Sequence, residues 1–241
     1  MKFLTALFFL LAASLIQGKD PDPVTSILAT DGKTPDPVKI QKYIDWVERA
    51  MVEYPTHFKS EEEKKAMVDA AEKVTDEIKA LDPKNLTDAN TVTILAYILG
   101  MAHNADLRTF GKAREFYQRA LELDPDSVRA NYLYGMLLIS TERYHFDSLP
   151  YLQKALALGE RDAQFSIAML YYQKGDRASA IREMEGYAKA RAKEPQIWDV
   201  VKQMKEGTLE FSKQRPPGGS SEQRPPGGSS EQPSTIPLKV K

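Results

Sequence analysis

The chain has no cysteine among its 241 residues. That excludes a structural disulfide, a thiolate nucleophile, a cysteine-based zinc site and a lipid anchor on an N-terminal cysteine. Charge of one sign is lacking too, since 33 Lys and Arg face 34 Asp and Glu. Nothing in that balance pulls the chain toward nucleic acid or an anionic membrane. Histidine is scarce, with only His57, His103 and His145 present. None stands at metal-ligand spacing from another histidine or a suitable carboxylate, so neither a metal nor a cofactor is expected. His103 reads as a core histidine with one hydrogen bond, and His145 falls in a turn. There is no phosphate-cradling glycine loop and no G-x-S-x-G. Catalytic groups assemble in space rather than along the chain, so a small extracytoplasmic hydrolase remains the least favoured reading.

Long apolar runs are also missing, with one exception. "MKFLTALFFLLAASLIQGKD" opens with Lys2, continues through an apolar run from Phe3 to Ala13 and ends in small residues. This is the layout of a secretory signal peptide over residues 1–18, cleaved after Ser14 or Gly18. The run is shorter than the ~20 apolar residues a membrane-spanning helix needs. The expectation is a mature protein outside the cytoplasm, with no integral span, in the bacterial periplasm.

The rest reads as helix between two irregular ends. Residues 19–37 contain "PDPV" twice, at 21–24 and 35–38. Proline removes backbone donors and disfavours helix in the residue before it, so an extended leader is expected. Asp36 then caps a helix with Pro37 in its first turn. Ile40, Tyr43, Ile44, Val47 and Met51 form one apolar stripe at three- and four-residue spacing, which Pro55 ends. Ser60 and Glu63 form a capping box for a second helix that Pro83 stops, and Thr87 or Asp88 caps a third. The final helix, 195–211, places Ile197, Val201 and Met204 on one stripe with Trp198 beside it.

A repeat lies inside the helical region. In segments 99–125, 134–160 and 167–190, a small residue stands in the first helix: Gly100, Gly135 and Ala168. Another follows twenty residues later in each: Ala120, Ala155 and Ala188. Small residues at fixed places let helices approach closely, and repeated pairs that bury their faces on the next pair make a solenoid. Residues 91–192 resemble tetratricopeptide repeats. Leu99, Gly100, Ala113, Tyr117, Ala120 and Pro125 carry the pattern in the first unit, and Tyr171, Gly175, Asp176 and Ala180 carry it in the third. Residues 151–176 also resemble the related Sel1-like repeat. The match covers about two-fifths of the chain. No tryptophan opens a unit, only the first unit ends in proline, and 38–83 looks like a degenerate unit.

The resemblance implies an all-α fold: a short right-handed superhelix of antiparallel helix pairs over 38–212, with 195–211 as the capping helix. It also implies that the first helix of each pair lines a concave face. Three positions per unit then fall on that face: Tyr97, Met101 and Asn104; Tyr132, Met136 and Ile139; Phe165, Met169 and Tyr172. Arg129 and Gln173 are its polar anchors. Aromatic side chains give area at low entropic cost and methionine adapts to irregular shapes, so the expected ligand is an apolar or amphipathic helical peptide. The same rows would equally serve internal packing beneath the capping helix or the leader.

Residues 213–241 form a tail, expected to be disordered, that holds "RPPGGSSEQ" twice without a difference. The unit is neutral and has no apolar anchor, so it reads as a spacer. Beyond it, "STIPLKVK" alternates Ile236, Leu238 and Val240 with polar residues or proline, and either docks on a partner or folds back onto the methionine row. The functional reading is a non-catalytic scaffold outside the cytoplasm that binds another protein or peptide on its concave face. The alternative is an assembly subunit of a cell-envelope complex docked through another surface. Oligomeric state is left open.

Overall fold

The computed structural model describes residues 24–51, 60–102 and 109–209. These form nine α-helices: α1 (Pro37–Met51), α2 (Glu61–Ala80), α3 (Ala89–Ala102), α4 (Thr109–Leu123), α5 (Val128–Ile139), α6 (Leu149–Ala157), α7 (Ala163–Gln173), α8 (Arg177–Ala190) and α9 (Gln196–Glu206). Two 3-10 turns, Pro83–Asn85 and Glu142–Ser148, complete the set, and no strand occurs among the described residues. The closest packing joins α3 to α4, α5 to α6 and α7 to α8, with α9 lying on α8. Consecutive pairs stack on one another, which makes an all-α tetratricopeptide-like solenoid. The signal-like segment, Pro55, His57, His103, Asn104 and the tail lie outside the described residues.

Helix ends follow local chemistry. Asp36 Oδ1 accepts from the Val38 and Lys39 amides at 2.9 and 3.2 Å, with Pro37 opening α1. Asp88, not Thr87, caps α3 by accepting from the Thr91 amide at 2.7 Å. At the start of α2 the Ser60 hydroxyl bonds to Glu62, which holds that carboxyl below its ordinary range. Pro195 is the capping residue of α9 rather than part of its first turn. Pro83, past the end of α2, opens a 3-10 turn where Asp82 accepts from the Lys84 amide.

The leader is packed, not free, where it is described. Ile27 is fully buried, and its amide donates to Glu77 Oε2 of α2 at 2.9 Å. Lys39 Nζ donates to the Leu28 carbonyl at 2.5 Å. Asp31 closes the intervening turn by accepting from the Lys33 and Thr34 amides and the Thr34 hydroxyl. Those bonds, with the Thr34 hydroxyl foremost, lower its carboxyl to about 2. The short apolar stretch Ile27–Ala29 between two proline pairs is too brief to carry a helix or strand period, so the sequence did not disclose this docking. In the stretch 38–83, α1 and α2 each pack on α3.

The small residues stand where helices touch. A methyl on Gly135 would lie 2.7 Å from Leu152 Cγ, and one on Gly100 would lie 3.4 Å from Leu137 Cδ1. Ala120, Ala155, Ala168 and Ala188 are fully buried. Tyrosines knit the first pair to the second: the rings of Tyr117 and Tyr134 are 5.5 Å apart, and those of Tyr134 and Tyr151 are 4.6 Å apart. Arg114 lies with its guanidinium carbon 4.2 Å from the Tyr144 ring centre, tying the 3-10 turn at 142–148 to α4. Asn131 is buried and donates to the Pro125 and Ser127 carbonyls at 3.0 and 2.8 Å, which fixes the turn into α5.

Gly135 and Gly111 should therefore respond oppositely to the same change. Gly135→Ala drives a methyl into Leu152 and should cost about 1–3 kcal/mol. Gly111 has nothing within 4 Å of an added methyl. Gly111→Ala should stabilise α4 by about 0.5–1 kcal/mol. Urea midpoints of the two variants measure both; a neutral Gly135→Ala would contradict the close approach.

Candidate functional site

The first helix of each pair, α3, α5 and α7, is buried on most of its circumference. In α3, Val92, Leu95, Ala96 and Leu99 are fully buried, and Ile98 is nearly so. Tyr97 and Met101 remain half-buried. In α5, Ala130, Leu133, Tyr134, Leu137 and Leu138 are buried, while Tyr132, Met136 and Ile139 are half-buried and Arg129 is exposed. In α7, Ser166, Ile167, Ala168 and Leu170 are buried, while Phe165, Met169 and Tyr172 are half-buried and Gln173 is exposed. Each first helix thus keeps a partly accessible stripe at helical spacing, and the stripe carries the aromatic and methionine positions named from the sequence. Asn104 lies outside the described residues.

The stripe side chains also hold the solenoid together. Tyr97, Met101 and Tyr132 pack on the main core, and Tyr132, Met136 and Ile139 pack on the cluster around Leu152 and Ile167. Phe165, Met169 and Tyr172 pack on the terminal cluster around Met184 and Val201. The Ser166 hydroxyl donates to the Met136 sulfur at 3.4 Å, joining α7 to α5. The rings of Phe165 and Tyr187 are 5.6 Å apart. Burial, followed by the Asp162 and Glu160 carboxylates, pushes the Tyr132 phenol well up, so it stays neutral across ordinary pH. Packing and partial access coexist because each side chain presents one edge inward to its neighbour.

Two features were not read from the sequence. His145 joins the 3-10 turn to the end of the stripe: its Nδ1 is 3.1 Å from the Ile139 carbonyl and its Nε2 meets the Gln173 side-chain amide. Gln173 is therefore partly engaged by its own chain. A cleft of about 500 Å³ opens between the turn before α7 and the end of α8, lined by Arg161, Ala190, Arg191, Ala192, Lys193 and Glu194. Arg191 there pairs with Asp162 and with Glu194, the latter at 2.9 Å. The charge of Arg191 is neutralised in place by these two carboxylates. Both features depend on residues brought together over 28 or more positions, a separation no local pattern reveals.

No group of three His, Asp or Glu side chains among the described residues could hold a metal ion. No described helix is long and apolar enough to cross a membrane. Residues 95–127 match the family model of the tetratricopeptide repeat. That stretch runs from the middle of α3 to Ser127, whose hydroxyl accepts from the Ala130 amide at 3.3 Å and caps α5. No curated protein matches the chain. Helical pairs of this type serve protein–protein interaction and are generally not catalytic.

Packing sets what a mutation can test here. Tyr132→Ala removes a half-buried ring that touches two clusters and should cost about 2–3 kcal/mol. Arg129→Ala, at an exposed position, should fall within about 0.5 kcal/mol of the parent. Thermal and urea unfolding measure both; equal effects would mean the stripe ring is not packed.

Proposed function

We propose that this chain is a non-catalytic scaffold that holds an apolar or amphipathic segment of another protein along the inner stripe of α3, α5 and α7. The carrying observation is the burial pattern: one half-buried row of aromatic and methionine side chains on each first helix, bordered by Arg129 and Gln173. A continuous row of adaptable apolar side chains offers contact area without demanding one fixed shape. Cationic anchors are few along it, which disfavours an acidic ligand and favours an apolar one.

Affinity capture from cell-envelope extract tests this. Met136→Gln keeps the length of the side chain and a polar atom near Ser166 while removing the thioether. A partner held by the parent should bind it about tenfold more weakly, the equivalent of ~1.4 kcal/mol. Undiminished capture by a variant with parental melting temperature would move the interaction to another surface. The exposed Trp198 of α9, 41% accessible, is the first position to substitute in that case, and it would favour the assembly-subunit reading.

The working location in this reading is the bacterial periplasm, supported by the order of Lys2, the apolar run and the small residues that follow. Expression of the full chain in a Gram-negative host should give a periplasmic species whose mass begins after Ser14 or Gly18. A cytosolic product that retains Met1 would overturn it.

A further inference from the structure

Past α9 the chain turns back on itself. Gly207 adopts a left-handed conformation, φ 74°, and the Thr208 amide donates to the Gln203 carbonyl at 3.0 Å. Leu209 then packs on the terminal cluster, and its carbonyl accepts from the Tyr172 hydroxyl at 3.5 Å. Tyr172 is the last apolar position of the inner stripe. The backbone at Leu209 thus meets Tyr172 at one end of the stripe, and the remaining chain starts from that point.

We propose that the segment Ile236–Val240 of this same chain occupies the inner stripe around Tyr132, Met136 and Met169, as a resident occupant that a partner must displace. This deepens the scaffold reading and rests on it. Reach is sufficient. Residues 210–235 hold many Pro, Gly and Ser, and twenty-six residues of Gly/Ser-type composition correspond to a root-mean-square span of about 28 Å. Packed helices lie about 8–10 Å apart, so the steps from α7 to α5 and α3 are within that span. A tether of this kind supplies an effective concentration on the order of a millimolar, which lets a weak contact persist.

Chemistry is also matched. Ile236, Leu238 and Val240 alternate with Pro237 and Lys239, which gives an extended segment one apolar edge. Methionines at 101, 136 and 169 can adapt to branched side chains that no rigid pocket would accept. The Glu160 carboxylate bears on Tyr132 and suits Lys239, while Asp162 is already paired with Arg191. The spacer between, two copies of RPPGGSSEQ, has no apolar residue to compete for the stripe.

A diazirine analogue in place of Leu238, in the full chain at micromolar concentration, tests the contact directly. Equal amounts of light and nitrogen-15-labelled chain are mixed before irradiation. The expected adducts fall on Met101, Tyr132, Met136 or Met169 and join light to light and heavy to heavy. Adducts scattered over the outer helices overturn the proposal, and so do mixed light–heavy adducts, which would signal a second copy. In parallel, Leu238→Asp in the full chain should shift the methyl NMR signal of Met136 and leave that of the fully buried Met204 unchanged. An unmoved Met136 signal also overturns it. The two readings fail separately. Capture that depends on Met136 while adducts map elsewhere removes only the tail contact. Adducts on the stripe with capture indifferent to Met136 remove the partner site and leave a purely internal contact.

Discussion

Everything in this fold depends on how closely a first helix can approach its second. At Gly135 the space a methyl would need is already filled by Leu152, so the two backbones meet at the limit that glycine permits. Ala120, Ala155 and Ala188 play the same part on the second helices, where each is fully buried. That approach sets the spacing of the pairs. The spacing in turn decides which face of α3, α5 and α7 stays partly open. The stripe lies on the side of these helices that close packing leaves partly open.

The same geometry explains why the candidate site is built from side chains that also stabilise. Met136 receives the Ser166 hydroxyl and Phe165 meets Tyr187, so adjacent pairs are joined through the residues a ligand would touch. A solenoid has little interior, since each pair contacts only its neighbours. Its apolar side chains must share their surface between neighbour and solvent.

Local chemistry was readable from the sequence, and contacts between distant segments were not. The stripe of Ile40, Tyr43, Ile44 and Val47, the buried row of α9 and the small-residue rhythm all follow from spacing within one helix or one repeat. The Asp36 cap needs only three neighbouring residues. The described row positions are half-buried, as expected of one face that a helix period and a repeat register specify together. The docking of Ile27 was missed, since the partner of its amide is Glu77, fifty residues away. His145 was read as a turn residue, which it is, but its meeting with Gln173 depends on how one pair sits on the next. The Arg191–Asp162 brace is hidden for the same reason, and charge balance alone could not have located it.

The terminal helix has a mechanical consequence. α9 is fastened to α8 by Ile197, Val201 and Met204, which are buried, and by the Lys205–Glu185 ion pair at 2.6 Å. The ion pair is solvent-exposed and adds little. A pull on the tail is carried first by Leu209 and the Gly207 turn, then by these three apolar side chains, and only afterwards by the repeats. Apolar contacts yield over short distances, so the load is met one side chain at a time, like a seam opened from its end. Force applied along the tail would peel α9 away and uncover the terminal cluster around Met184, while the tyrosine-knitted first and second pairs still held their shape.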